Sequence, residues 1–276
     1  MPRLPTLLGC PWDAGSSFLR GAANAPPLIR RALASPSSNS WSESLIDLGS
    51  ARALGDAGDL DLTGPDPRAT IERGARAIVD AGNLPLALGG DHSVSYPLLR
   101  AVRSGHPRLT VLHIDAHADL YDDFEGDRYS HACPFARIME EGLADRLVQV
   151  GIRTLNQHQR AQADRFGVEI IDMRAWVANA RPATDGPVYL SLDLDALDPG
   201  FAPGVSHWEP GGLSVREVIT VIQALRGTLV GADVVEYNPA RDPSGITASV
   251  AAKLVKEIAS RMLDDPRSSS PEARNA

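Results

Sequence analysis

VLHIDAHADL, residues 111–120, carries an apolar run straight into Asp115, His117 and Asp119, an acid, an imidazole and a second acid at alternate positions. A continuous apolar run of this kind reads as a strand covered on both faces. If the backbone stays extended, all three polar side chains share one side of the chain, because successive side chains of a strand point to opposite faces. A buried strand that ends in crowded titratable groups implies a polar centre just outside the sheet.

Six further runs read as strands: LPTLLG, LPLALGG, RLVQVGI, VEIID, PVYLSLDLD and GTLVGADVVE. The segments between them have helical spacing. IERGARAIVDAG places Ile71, Ala75, Ile78 and Val79 on one stripe, and TASVAAKLVKEIASRML repeats Val250, Leu254, Ile258 and Met262. SVREVITVIQALRG opens with Ser214 and Glu217 in capping-box spacing and is expected to end at Gly227. Strands alternating with helices predict the α/β class, a three-layer α/β/α sandwich with a largely parallel central sheet.

No long Pro/Ser/Gly linker interrupts residues 1–262, so they are expected to form one domain, with the polar residues 263–276 as a disordered tail. Of 276 residues 43% are hydrophobic, enough for a substantial core. The net charge of −8 argues against a broad nucleic-acid face. The short apolar run near the N-terminus does not suit a signal peptide and no stretch is long enough to span a membrane, so a cytoplasmic protein without membrane attachment is expected. Cys10 and Cys133 lie far apart with no paired-cysteine motif, which indicates neither a disulfide framework nor a thiolate metal site.

Polar groups at the carboxyl ends of parallel strands mark the usual ligand position in such a sheet. LPLALGG leads to Asp91 and His92, VLHI to Asp115, His117 and Asp119, PVYLSL to Asp193, Asp195 and Asp198, and GTLVGADVV to Glu236. If these strands are neighbours, Asp115, Asp119, Asp193 and Asp195 pool four negative charges, which cannot all stay ionised in a desolvated pocket without cations. Two divalent ions balance them, with His92 and His117 supplying one nitrogen each. Oxygen-rich ligation without thiolate favours Mn²⁺ and leaves Co²⁺, Ni²⁺ or Fe²⁺ open. His113 lies deeper in its strand and suits a core or supporting role. DLDALDPG lacks the Gly and Glu of a calcium loop, and Asp198 with Pro199 reads as a turn.

GGDHS (89–93), DAHAD (115–119), SLDLDALDP (191–199) and EYNPARD (236–242) resemble, in order, the signatures of the ureohydrolases, the arginase and agmatinase family. The resemblance implies an arginase-like fold and two Mn²⁺ per subunit. One ion would take His92, Asp115, Asp119 and Asp193, and the other His117, Asp115, Asp193 and Asp195, Asp115 and Asp193 bridging. It implies hydrolysis of a small guanidino substrate to urea and an amine, Glu236 pairing with the guanidinium and Asp119 handling a proton. His131, in YSHACPF, matches a loop histidine that shuttles protons, and Asp91 matches a residue supporting His92. A homotrimer or homohexamer is the implied assembly.

DLYDDFEGDRYSHACPFARIMEEG and FAPGVSHWEPGGLS look most like plant-type arginases and their bacterial relatives. The expected reaction is therefore L-arginine to L-ornithine and urea. LYDDFEGDRYSHACPF lacks the Asn pair with which animal-type arginases grip the amino-acid head, which keeps agmatine, or another guanidino acid, as the alternative. Arg128 and His207 are the candidates for a substrate carboxylate. A non-enzymatic binding protein would not need so complete a set of ligands.

Overall fold

The computed structural model describes residues 3–50 and 52–264. Eight strands form one sheet: β1 (Pro5–Gly9), β2 (Gly55–Asp59), β3 (Leu84–Leu88), β4 (Thr110–Ile114), β5 (Arg146–Val150), β6 (Glu169–Ile171), β7 (Pro187–Asp193) and β8 (Thr228–Val235). Every pairing is parallel, in the order β2-β1-β3-β8-β7-β4-β5-β6. The expected α/β/α sandwich is thus realised. Its helices are α1 (Ala25–Leu33), α2 (Pro67–Asp80), α3 (Ser95–Arg103), α4 (Pro134–Glu140), α5 (Gln157–Phe166), α6 (Met173–Val177), α7 (Val215–Ala224) and α8 (Ile246–Leu263).

Strand alternation divides the core in two. Leu86, Leu88, Leu112, Ile114, Leu190 and Leu192 face one way, against α1, α6, α7 and α8. Ala87, Val111, Leu147 and Tyr189 face the other, against α2, α3, α4 and α5. Ile71, Ala75 and Ile78 are the buried stripe of α2, as their spacing predicts, and Leu254, Ile258 and Met262 are buried on α8.

Three differences from the sequence reading have physical reasons. GDAGD, now β2, has no apolar run because it is an edge strand with little to cover, and Asp56 and Asp59 pair with Arg30 of α1. The capping box of α7 is present, Ser214 accepting from Glu217 N while Glu217 caps Ser214 N, but the helix stops at Ala224 because Leu225 turns extended. Gly227 belongs to the turn into β8, at φ +89°, where an added Cβ would lie 2.3 Å from the Gly186 carbonyl oxygen. The expected tail was placed at residues 263–276, but Leu263 is the last residue of α8; residues 265–276 lie outside the described residues.

Candidate metal centre

The four strands whose ends carry the polar residues are adjacent at the centre of the sheet, β3-β8-β7-β4. Their side chains converge by turns rather than by continued extension. β4 ends at Ile114, after which Asp115 Oδ1 accepts from His117 N at 2.6 Å; at the end of β7 Asp193 Oδ1 accepts from Asp195 N at 2.7 Å. Each Asp closes a local turn with one oxygen and presents the other to the centre. Asp119 and Glu236 adopt left-handed backbone, φ +50° and +64°. Such strain costs about 1 kcal/mol or more per residue and persists where the surroundings fix it.

His92 supplies the most telling geometry. Its Nε2 lies 2.9 Å from Ser191 Oγ, and that hydroxyl donates its proton to Asp233 Oδ1 at 2.8 Å, so Nε2 must be the protonated nitrogen. In the neutral ring Nδ1 offers a lone pair; it faces Asp115 Oδ2 at 3.0 Å, Asp119 Oδ2 at 3.1 Å and Asp193 Oδ2 at 3.2 Å. Against the effect of burial, these carboxylates hold the imidazole well above its usual value, so the place is one that a proton or a metal ion fills. Four electron-rich atoms around one point are repulsive unless a cation sits among them. A second point lies beside it, where His117 Nδ1 approaches Asp195 Oδ2 at 3.1 Å and Asp115 Oδ1 at 3.4 Å. The donor sets therefore fit two cations sharing Asp115. Burial, with the charges of Asp195 and Asp115 added, holds the Asp193 carboxyl well above the usual range, and burial also raises Asp195.

His113 could enter the first set by distance alone, but both its nitrogens are engaged. Gln149 Nε2 donates to the Ala118 carbonyl at 2.6 Å, which fixes the amide and makes His113 Nδ1, 3.0 Å away, an acceptor. His113 Nε2 then donates to Asp115 Oδ2 at 2.7 Å and steadies that carboxylate. The support expected of Asp91 falls elsewhere: Asp91 accepts from Ser93 N at 3.1 Å, and the acceptor for the His92 ring is Ser191, backed by Asp233 and the Tyr189 hydroxyl. Gln149, His113, Ser191 and Asp233 are register partners on adjacent strands, a polar row across an otherwise apolar sheet.

A cavity of about 230 Å³ opens over this centre, lined among others by His117, Asp119, His131, His207, Glu209 and Glu236. His131 Nδ1 lies 2.8 Å from Glu236 Oε1, and Glu236 also accepts from His92 N at 3.0 Å. Burial pushes the His131 imidazole down, but Glu236, then Asp119 and Asp91, outweigh it and lift the ring to about 9. Ser17 serves either protonation state, donating through N to Nε2 at 3.1 Å or accepting at Oγ, 2.8 Å away. Nothing in the N-terminal loop's sequence had marked Ser17. Arg128 does not line the cavity; its guanidinium holds Asp122 at 2.8 Å and Glu140 at 3.1 Å on the surface. Asp198 is the turn residue expected, accepting from Gly200 N and Gly211 N.

Arg153 was invisible to the sequence reading because a lone Arg after a strand resembles any surface charge. Its guanidinium meets only carbonyls: Nη2 donates to Asp195 O at 2.7 Å, Nη1 to Ala196 O at 3.2 Å, and Nε to Glu209 O at 2.8 Å. One side chain thus ties the turn bearing Asp195 to the cavity rim. Arg153→Ala is expected to weaken metal affinity roughly 10- to 100-fold, as loss of a supporting partner does, in direct metal titration. Affinity equal to wild type would make Arg153 a loop staple without influence on the centre.

An all-parallel sheet whose central strand ends gather acids and imidazoles under an open cleft is the frame of a metallohydrolase. The chain belongs to the arginase family, whose family model matches residues 5–260. It is 49% identical to Arginase 1, mitochondrial, of Arabidopsis thaliana over 277 residues, 93% of this chain and 80% of that protein. Guanidinopropionase of Pseudomonas aeruginosa is 39% identical, over 91% of this chain and 84% of its own. The solved arginase from Medicago truncatula superposes with a TM-score of 0.90 at 45% identity, covering 95% of this chain and 88% of that one. These relatives correct the cytoplasmic expectation, since the two Arabidopsis arginases are named mitochondrial and chloroplastic/mitochondrial. Among the described residues no helix is long and apolar enough to cross a membrane, which fixes no compartment.

Proposed function

We propose that the protein is an arginase, hydrolysing L-arginine to L-ornithine and urea with two Mn²⁺ ions. The observation that carries a metal-dependent reading is His92 Nδ1 among three carboxylate oxygens, beside a cavity into which Glu236 opens. The arginase relatives, similar over most of the chain, favour arginine. His92, Asp115, Asp119 and Asp193 would hold one ion and His117, Asp115, Asp193 and Asp195 the other; six oxygen and nitrogen side chains without thiolate suit Mn²⁺. Bound there, the pair would offset the acids and lower the pKa of a captured water toward neutrality.

The chain's own groups do the rest. Glu236 pairs with the guanidinium and holds its carbon over the acids. Asp119, on its left-handed backbone, accepts a proton as the bond to the amine breaks. His131, bonded to Glu236, delivers a proton to the departing amine, and the alternation of Ser17 between donor and acceptor keeps the ring in place through the transfer.

One observation favours agmatine, arginine without its carboxylate: no Lys or Arg among the described residues lines the cavity, and the charge of the His131 ring is already taken by Glu236, so a carboxylate would rely on groups such as Ser17, Thr154, Gln159 and His207. Urea release after reconstitution with Mn²⁺ decides between them. A kcat/KM for arginine above that for agmatine is the expected result, and the reverse overturns the choice of substrate. Release from neither would turn the test to other guanidino acids, such as that of the guanidinopropionase relative, and release from none of them would leave a non-enzymatic binding protein. A homotrimer or homohexamer is the assembly proposed, supported by the exposed Phe18, Phe201 and Trp208, and light scattering measures it.

A further inference from the structure

A guanidino substrate with its reacting carbon over the acids must send its other end toward the cavity mouth. In arginine and in agmatine that end carries an ammonium. Glu209 stands in this position. It lines the same cavity, its side chain is 36% exposed, and its Oε1 lies 3.7 Å from His117 Nε2, on the far side of the ring whose Nδ1 faces Asp195. One imidazole ring and that gap separate it from the metal centre, a spacing suited to the methylene chain of the substrate.

No described residue donates a hydrogen bond to the Glu209 carboxylate, and 3.7 Å is too long for one from His117. Its backbone, by contrast, is fixed. The Glu209 carbonyl accepts from Arg153 Nε at 2.8 Å and Nη2 at 2.6 Å, and the same Nη2 reaches Asp195 O. Among the described residues no Lys or Arg lines the cavity, and His117 is the imidazole that faces this carboxylate, beyond hydrogen-bond reach. A free carboxylate on a held backbone is a receptor whose backbone ordering cost has been met before binding, leaving only its side chain to be fixed.

We infer that Glu209 recognises the ammonium end of the substrate and so sets specificity for guanidino compounds that carry one. The inference rests on the guanidine-hydrolase reading of the site. Glu209→Gln in the metal-loaded enzyme tests it with three compounds: L-arginine, agmatine, and 5-guanidinopentanoate, which is arginine without its ammonium. The kcat/KM for arginine and for agmatine should fall roughly 10- to 100-fold relative to 5-guanidinopentanoate, the loss of one charge-assisted contact, with metal content retained. An equal fall for all three with reduced metal content would make Glu209 a support for His117 and overturn the inference, as would no change for any. The wild-type ranking of arginine against agmatine separately judges the proposed reaction. If no compound releases urea, calorimetric titration with agmatine and 5-guanidinopentanoate reads the same selectivity as Kd, and an equal effect of the substitution on both Kd values overturns it.

Discussion

Asp193→Ala is expected to purify without two full metal equivalents and to lose turnover by more than the roughly 100-fold that an outer partner carries, since Asp193 faces His92 Nδ1 directly. Asp115→Ala should do the same, because Asp115 stands in both donor sets. Metal analysis of the purified variants is the measurement, and full binuclear occupancy in Asp193→Ala would remove it from the centre. Stability should move in opposite directions with and without metal. Asp193→Asn keeps an acceptor for Asp195 N yet removes a buried charge, so the metal-free variant should melt higher than metal-free wild type. In wild type, metal at 100 times its Kd adds about 2.7 kcal/mol, a gain the variant forfeits.

The same carboxyl sets a pH dependence. Burial and neighbouring acids raise its folded pKa well above the unfolded value, so between the two the native state binds more protons than the unfolded one. Metal-free wild type therefore loses stability as pH rises from the unfolded value through the folded one. Metal-free Asp193→Asn should lack that slope in chemical denaturation at a series of pH values.

His131→Ala should lower kcat by roughly 10²- to 10⁴-fold, the range of a positioned acid or base, while metal content stays that of wild type. The ring contacts Glu236 and Ser17 and touches no proposed metal ligand by hydrogen bond, which is why the two effects separate. Added imidazole should restore part of the rate. Ser17→Ala should lose less, because His131 keeps Glu236 and the Ser17 backbone N–H. Wild-type turnover by His131→Ala across pH would reduce the ring to a brace for Glu236.

The central strands were legible because strands buried on both faces must be apolar throughout, and the edge strand β6 through Ile170 and Ile171, whereas β2, exposed at the other edge, carried no such signal. The strand-end acids were legible because a desolvated cluster of like charges needs a cause. The alternation of Asp115, His117 and Asp119 predicted a shared side of an extended chain, whereas local turns and a left-handed Asp119 are what bring these side chains together.

What VLHIDAHADL and its fellow runs determined alone was the layered α/β/α architecture and the residue types at the strand ends, since periodicity and charge balance act within a few residues of chain. Which strands lie side by side was decided only by the tertiary fold, and so was every contact that depends on it. His92 finds Ser191, 99 residues away, rather than neighbouring Asp91, and Arg153 spans the turn at Asp195 and the rim at Glu209. Arg128, close to His131 in sequence, is drawn to Asp122 and Glu140 instead of the cavity. Hydrogen-bond partners are chosen by distance and direction in space, and a buried donor or acceptor takes the group that packing brings within about 3 Å, however far along the chain it began.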